Sequence, residues 1–261
     1  MKLKKTYTYL LPAAVIMSVG FAACDNIDEA DRYIETGPVE VARKVLLEEF
    51  TGQQCTNCPD AHRIIESLEE QYGDALIVVS IHAGEFGIKY PVGLMQEEGN
   101  TYADRWNIAA YPAGVVDRTG SAMKMGEWAT AIREDIGKTT ELQLSLEAQL
   151  SSDQKKIEVF TTMVSPEALS GSLQLWVVEN GIVAYQLDGD KNVMDYVHNN
   201  VFRACVNGLW GQEIPLQANE VKYESNTIDV DARWKLENVD IVGFYYNSTG
   251  VVQVEKCTLS L

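Results

Sequence analysis

The sequence predicts an α/β domain followed by an all-β domain. From residue 41 to about residue 138, apolar segments with strand and helix periods alternate, which is typical of an α/β layer arrangement. After Thr139 the period changes to two, and turn residues separate short stretches of alternating apolar and polar residues. A chain of 261 residues with 46% hydrophobic residues is long enough to form two cores. We therefore expect domains at 41–138 and 139–261.

Residues 1–23 have the features of a secretory signal peptide. Three lysines near the start precede the apolar run from Leu10 to Val19, and small residues then lead to the lipobox-like end Phe21-Ala22-Ala23-Cys24. Cys24 would carry a lipid and become the mature N-terminus. A retained membrane span is less favoured, because crossing a bilayer takes about 20 apolar residues and this run is shorter.

Residues 24–40 are expected to form a tether between the lipid and the first domain. The stretch Asp25–Asp31 is acidic and has no periodicity. It resembles the signal that sends lipoproteins of Bacteroides-type bacteria to the cell surface, although a plain spacer is an equal interpretation. Removal of the signal peptide changes the formal charge from -17 to -20, because three lysines and no acidic residues are lost. Such a charge makes nucleic acid a poor partner.

Three further elements complete the predicted α/β domain after its first strand at residues 44–50. A helix begins near Pro59 and ends at Gly73, with Ile65 and Leu68 on its apolar face. Residues 75–81 form a continuous apolar run, which is typical of a buried parallel strand. A closing amphipathic helix has Trp128, Ile132 and Ile136 at a spacing of four and ends at Gly137.

A Cys-x-x-Cys motif, Cys55 to Cys58, stands between the first strand and the first helix. The partial positive charge at a helix N-terminus stabilises a thiolate, so Cys55 is the predicted nucleophile. Cys58 is close enough in sequence to resolve a mixed disulfide formed at Cys55. The same spacing also occurs in zinc sites, and a site formed by Cys55, Cys58 and His82 is a second interpretation. The other histidines, His62 and His198, are far apart in sequence.

The motif and its surroundings resemble the thioredoxin fold. Thioredoxins have a buried acid six positions before the first cysteine, followed by an aromatic residue, and Glu49 and Phe50 occupy these positions. The resemblance implies that Glu49 relays protons to the resolving thiol. Its neighbour Glu48 is the alternative buried acid, but strand alternation puts Glu49 on the face of apolar Leu47.

A second block, Trp106 to Gly120, resembles the thioredoxin segment in which a cis-proline precedes a strand. The resemblance implies that Pro112 is cis and faces the cysteines. The chain departs from the pattern at Gln54, where thioredoxins have tryptophan, and at Thr56-Asn57 between the cysteines. The direction of the redox reaction is therefore open. Residues 84–101 are predicted to be an inserted loop near the active edge.

The second half of the chain predicts an immunoglobulin-like β-sandwich, because short alternating strands recur from Leu142 to Val254. Asn180-Gly181 predicts a tight hairpin between two of these strands. Cys205 and Cys257 could pair as a structural disulfide in an oxidising compartment, or remain buried free thiols. The polar and aromatic segment 196–204 has no clear period and is expected to be a solvated loop with one anchoring aromatic.

Taken together, the lipobox, the thioredoxin-like domain and the β domain resemble a family of outer-membrane lipoproteins in Bacteroides-type bacteria, named after a twenty-eight-kilodalton member. The resemblance implies a lipid-anchored outer-membrane protein that faces the periplasm or the cell surface. We expect thiol-disulfide exchange with extracytoplasmic proteins and no cofactor. The alternative is a non-catalytic surface lipoprotein that uses the same fold to bind a partner.

Overall fold

The computed structural model describes residues 40–261 and is mostly β, with 45% of residues in strands and 20% in helices. The signal peptide, Cys24 and nearly all of the predicted tether therefore lie outside the described residues. The helices are α1 (Cys58–Tyr72), α2 (Glu97–Arg105) and α3 (Met125–Asp135). The strands of the first half are β1 (Val41–Ala42), β2 (Val45–Thr51), β3 (Leu76–His82) and β4 (Ala113–Val116).

Eleven strands follow α3. They are β5 (Thr139–Thr140), β6 (Gln143–Leu150), β7 (Lys156–Val164), β8 (Ser172–Glu179), β9 (Ile182–Asp188), β10 (Lys191–His198), β11 (Val201–Cys205), β12 (Gln212–Glu213), β13 (Lys222–Asp229), β14 (Val239–Asn247) and β15 (Gly250–Thr258). The first predicted helix is confirmed at α1, which ends where Gly73 adopts a positive φ of 53°. The closing helix is confirmed at α3 and the buried parallel strand at β3.

One eight-stranded sheet runs through both halves of the chain. Its order is β15-β14-β8-β11-β3-β2-β4, with β12 paired to β8. The halves meet where β11 lies parallel to β3 with Val201 opposite Ser80, and Ser80 donates its backbone N–H to Asn200. The boundary expected between residues 138 and 139 therefore does not separate two sheets, and the described residues form one compact unit.

Three cores cover the faces of this sheet. On one face, aromatic residues of both halves pack around Tyr102 of α2 and Trp176 of β8. On the other face, α1 and α3 cover β2, β3 and β4. The same face carries a third core, in which the three-stranded sheet β13-β7-β6 packs against β8, β14 and β15. The second half thus has two β layers, and one of these layers continues into β3 and β2 of the first half.

The hairpin predicted at Asn180-Gly181 does not form, so this prediction is wrong. Strands β8 and β9 flank this turn, yet β9 pairs with β10 rather than with β8. Polar groups redirect the chain here, since Asn199 accepts the N–H of Gly181 and the side chain of Asn180 accepts the N–H of Asn200. The resulting β9–β10 hairpin leaves the large sheet and lies against α1. Segment 196–204 was expected to be a loop, but it forms the end of β10 and most of β11.

Candidate functional site

Cys55 and Cys58 form a disulfide at the start of α1, with their Cα atoms 5.5 Å apart. All of β2 is buried, and the chain turns after Thr51 to enter the helix. Pro59 lies in the first turn of α1. Backbone N–H groups in this turn make no hydrogen bond within the helix, so the lack of an N–H in proline costs the helix nothing here. Ala61, Ile65 and Leu68 fix the helix on the sheet. The strand, the cysteine pair and the helix therefore follow one another as the sequence predicts.

The disulfide is covered. Cys55 is 3% exposed and Cys58 is fully buried. The cover is the β9–β10 hairpin, whose Leu187 N–H donates to the Gln53 carbonyl at 2.8 Å and whose Gly189 N–H donates to the Thr56 carbonyl at 3.1 Å. A strand from the second half of the chain thus lies along the backbone of the redox motif.

Gln186 of β9 contacts the backbone of the motif through its side chain. It is fully buried, and its Nε2 lies 3.1 Å from the Cys55 carbonyl and 3.3 Å from the Gly52 carbonyl. In return, Gln53 donates to the Tyr185 carbonyl at 2.9 Å. Sequence reasoning did not identify Gln186, because nothing in its local sequence connects it to a motif 131 residues earlier.

The predicted inserted loop also contacts the motif. The N–H of Gln54 donates to the Phe86 carbonyl, and the N–H of Leu94 donates to the side-chain oxygen of Gln53 at 2.9 Å. The Phe86 and Tyr111 rings lie 5.7 Å apart. The bond between Tyr111 and Pro112 is cis, as the resemblance implies, and β4 starts directly after it beside Phe50. A second cis bond, before Pro91, was not expected.

Glu49 is fully buried on the sheet face that carries α1, the face it shares with Leu47. Burial raises the pKa of its carboxyl to about 8. Neither carboxyl oxygen has a hydrogen bond of good geometry, although the hydroxyls of Ser80 and Thr51 partly oppose the rise. The acid expected at this position is therefore present and protonated at neutral pH. Its role in proton transfer remains a prediction.

Three histidines that are far apart in sequence lie together beside Glu49. The ring centroids of His82 and His198 are 5.4 Å apart, and those of His62 and His198 are 6.4 Å apart. Burial lowers the pKa of His62 and of His198 to about 4 and holds that of His82 well below its usual range. All three are therefore neutral at pH 7. Because His198 comes from the hairpin, the cluster exists only when the hairpin is docked.

His62 connects Glu49 to the hairpin. Its Nε2 lies 3.6 Å from Glu49 Oε1 and 3.0 Å from Thr51 Oγ1, while its Nδ1 lies 2.8 Å from the Tyr196 hydroxyl. The sequence could have indicated His62 as a site residue, because it follows Cys58 by four positions and residues at this spacing share one face of a helix.

The proposed ligand set Cys55, Cys58 and His82 does not form a metal site here, because both sulfurs are consumed by the disulfide. Within residues 40–261, no group of three or more His, Cys, Asp or Glu side chains has a geometry that could hold a metal ion.

Of the two alternatives for Cys205 and Cys257, the structural disulfide does not form. Both are free thiols. Cys205 lies on β11 and Cys257 on β15, three strand positions away in the large sheet, which is a separation of about 14 Å. They also pack into the cores on opposite faces of the sheet. A disulfide needs Cα atoms closer than about 7 Å.

A family model described as outer membrane protein Omp28 matches residues 99–260, which is more than half of the chain. The chain belongs to the Omp28 family of outer membrane proteins. Its localisation is accordingly the outer membrane. The matched segment includes the hairpin but begins after the cysteine pair, so family membership by itself says nothing about redox activity. No helix among residues 40–261 is long and apolar enough to cross a membrane.

Solved structures extend the likeness to the first half. HBP35 of Porphyromonas gingivalis is similar with a TM-score of 0.67 at 16% identity, over 84% of this chain and 76% of that chain. A structural genomics target from Agrobacterium tumefaciens is similar with a TM-score of 0.51 at 13% identity, over 84% of this chain and 95% of that chain. At these identities the likeness concerns the fold alone. No curated protein matches the chain.

Proposed function

We propose that this Omp28-family chain exchanges thiols and disulfides with extracytoplasmic proteins through Cys55 and Cys58. The observation that carries the proposal is the disulfide between these residues at the start of α1, with the buried acid Glu49 on the same side of the sheet. We interpret β2, β3 and β4 with α1 to α3 as a thioredoxin-like unit. The strands from β6 onward retain a two-layer, immunoglobulin-like character in this interpretation.

The reaction conserves atoms and electrons. In the dithiol form, the Cys55 thiolate attacks a substrate disulfide and one substrate thiolate leaves. The Cys58 thiol loses its proton, and the thiolate attacks the Cys55 sulfur so that the second substrate thiolate leaves. Two electrons pass to the substrate, which becomes a dithiol, and the Cys55–Cys58 disulfide remains. Because both sulfurs are buried under the hairpin, the hairpin must move before a protein substrate can reach Cys55.

The test is a redox titration of the mature chain in glutathione buffers, followed by reduction of a model protein disulfide. We expect reversible interconversion of dithiol and disulfide, first alkylation at Cys55 in the reduced protein, and loss of exchange in Cys55→Ser. The double variant Cys205→Ser and Cys257→Ser is the matched control and should keep full activity. A wild-type chain that titrates but exchanges with no protein disulfide would contradict the proposal.

The burial of both cysteines favours a second candidate, a non-catalytic lipoprotein that binds a partner. In this case the disulfide is a structural clamp that holds the motif against the hairpin. Failure of a mild reductant to open the disulfide in the folded chain, with unchanged partner binding by Cys55→Ser, would support this candidate.

We also propose that Cys24 carries the lipid anchor, since the family is one of outer membrane proteins and the lipobox-like sequence ends at this cysteine. Cys24→Ala should leave the membrane fraction and lose the acyl mass. Retention in the membrane at unchanged mass would contradict this assignment.

A further inference from the structure

A line of polar groups runs from Glu49 to the hairpin. Glu49 Oε1 lies 3.6 Å from His62 Nε2, and the Thr51 hydroxyl lies 3.0 Å from the same nitrogen. On the other side of the ring, His62 Nδ1 lies 2.8 Å from the hydroxyl of Tyr196. Both nitrogens of His62 are thus engaged, one toward the buried acid and one toward a half-buried phenol on β10.

This line passes one helical turn away from the resolving cysteine. Cys58 and His62 are four residues apart on α1, so they share the helix face that packs on the sheet next to Glu49. A cavity of about 30 Å³ borders the line and is lined by the three histidines, Ser80 and Tyr196. Its volume is sufficient for a water molecule with several polar partners.

We propose that His62 and Tyr196 form a proton relay that connects Glu49 with solvent during the resolving step at Cys58. This inference rests on the proposed function and adds two residues to its machinery. Glu49 is the group that exchanges a proton with the reacting thiol. His62 and Tyr196 act through Glu49 and do not touch the sulfur chemistry in this scheme.

The relay moves one proton in each turnover. In the oxidation of the dithiol, protonated Glu49 first passes its proton to His62 Nε2, directly or through the Thr51 hydroxyl, while the Nδ1 proton of His62 passes to the Tyr196 oxygen. The Glu49 carboxylate then accepts the proton of the Cys58 thiol. The Tyr196 hydroxyl proton leaves to water. His62 ends as the other neutral tautomer, and the reverse order supplies a proton when the disulfide is reduced.

The electrostatics of the surroundings agree with this scheme. Burial raises the pKa of Glu49 to about 8, so it can both hold and release a proton near neutral pH. Burial is the largest cause that lowers the pKa of His62 to about 4, and the charges of His198 and Arg63 add to it. His62 is therefore neutral at pH 7 and can pass a proton on without remaining protonated. The titratable and charged groups that face the relay or its cavity are Arg63, Glu66 and Glu69 on α1, His82 on β3, Asp188 on β9 and His198 on β10.

The decisive variant is Tyr196→Phe, which removes only the hydroxyl and keeps the ring that packs against His62 and His198. Tyr185→Phe is the matched control, because Tyr185 lies on the same hairpin and its hydroxyl donates to Asn192 on the exposed side. We expect the rate of exchange at pH 7 to fall about tenfold in Tyr196→Phe, less than the hundredfold or greater loss for the acid-base group itself. Small buffer bases should partly restore it. His62→Gln should behave like Tyr196→Phe.

A second measurement separates this inference from the proposed function. Solvent exchange of the His62 ring proton, followed by NMR in the reduced full chain, requires no substrate and should slow several-fold in Tyr196→Phe but not in Tyr185→Phe. If the wild type lacks exchange activity but the ring proton slows in this way, the proposed function fails, whereas the proton path through His62 and Tyr196 stands. If Tyr196→Phe and Tyr185→Phe share one pH profile and one proton exchange rate, the relay is wrong.

Discussion

The two sides of β2 each hold one buried glutamate, and their surroundings differ. Glu48 faces Arg118, whose Nη2 lies 3.1 Å from Glu48 Oε1, and the guanidinium packs over Phe244 and Tyr246 at 4.6 Å from each ring centroid. Glu49, one residue later, faces the neutral His62 and has no cation beside it. A buried acid with a charged partner contributes to structure, whereas one without a partner keeps a proton at neutral pH and is suited to acid-base chemistry.

The largest expected effect is on the paired side. Arg118→Met removes the one cation that pairs with Glu48 within residues 40–261, so the carboxyl is left buried without a cation. We expect the free energy of unfolding at pH 7 to fall by about 3–5 kcal/mol in urea titrations. The double variant Glu48→Met and Arg118→Met should recover most of this loss. No recovery in the double variant would show that the guanidinium acts through aromatic packing instead of through charge.

The next largest effect is on the unpaired side and depends on pH. Because the pKa of Glu49 is raised from 4.5 to about 8 on folding, the folded chain binds one more proton than the unfolded chain between these values. Its contribution to stability is complete at low pH and is lost as the pH rises to about 8, at about 1.4 kcal/mol per pH unit. Glu49→Gln should remove this slope. Parallel curves for the wild type and Glu49→Gln in urea titrations from pH 5 to 8.5 would contradict the assignment.

A smaller effect concerns the β9–β10 hairpin, which packs over the redox motif on the side of the sheet that holds Glu49. Gln186→Ala removes hydrogen bonds to the redox motif that contribute about 1 kcal/mol each. We expect reduction of the Cys55–Cys58 disulfide by a phosphine to accelerate about tenfold, because the hairpin opens more often. Gln149→Ala is the control, since Gln149 donates only to Glu158 on the exposed surface. Equal acceleration in both variants would mean that Gln186 does not hold the hairpin closed.

The smallest expected effect is a change in the pKa of Glu49 caused by its neighbour Ser80. The Ser80 hydroxyl opposes the rise in the pKa of Glu49, so Ser80→Ala should raise that pKa further, by less than about one pH unit. The measurement is a carbon-13 NMR titration of the Glu49 carboxyl. A lower pKa in Ser80→Ala would indicate that water enters the space and solvates the carboxylate.

Local patterns identified the elements around the disulfide, because each depends on neighbours in sequence. Helix α1 begins beside Pro59 and ends at Gly73, and alternation along β2 correctly put Glu49 on the face of Leu47. The strand period of the second half was equally clear in β6 and β7. The failures concern pairing between distant strands. Alternation identifies a strand and its faces but does not specify its partner, so neither the β3–β11 contact nor the departure of β9 from β8 was predictable.

The sequence by itself determined the positions of the Cys-x-x-Cys motif, the acid before it, the helix after it and the signal-like N-terminus. Only the tertiary structure decided that the second half extends the first sheet, that Cys205 and Cys257 remain apart, and that a hairpin covers the disulfide. The cover, and His198 of the histidine cluster, come from residues more than a hundred positions away from the motif. Contacts at such separations arise from packing and hydrogen bonds in three dimensions. Hydrophobic periods and motif spacings describe only neighbours in sequence, so they do not predict these contacts.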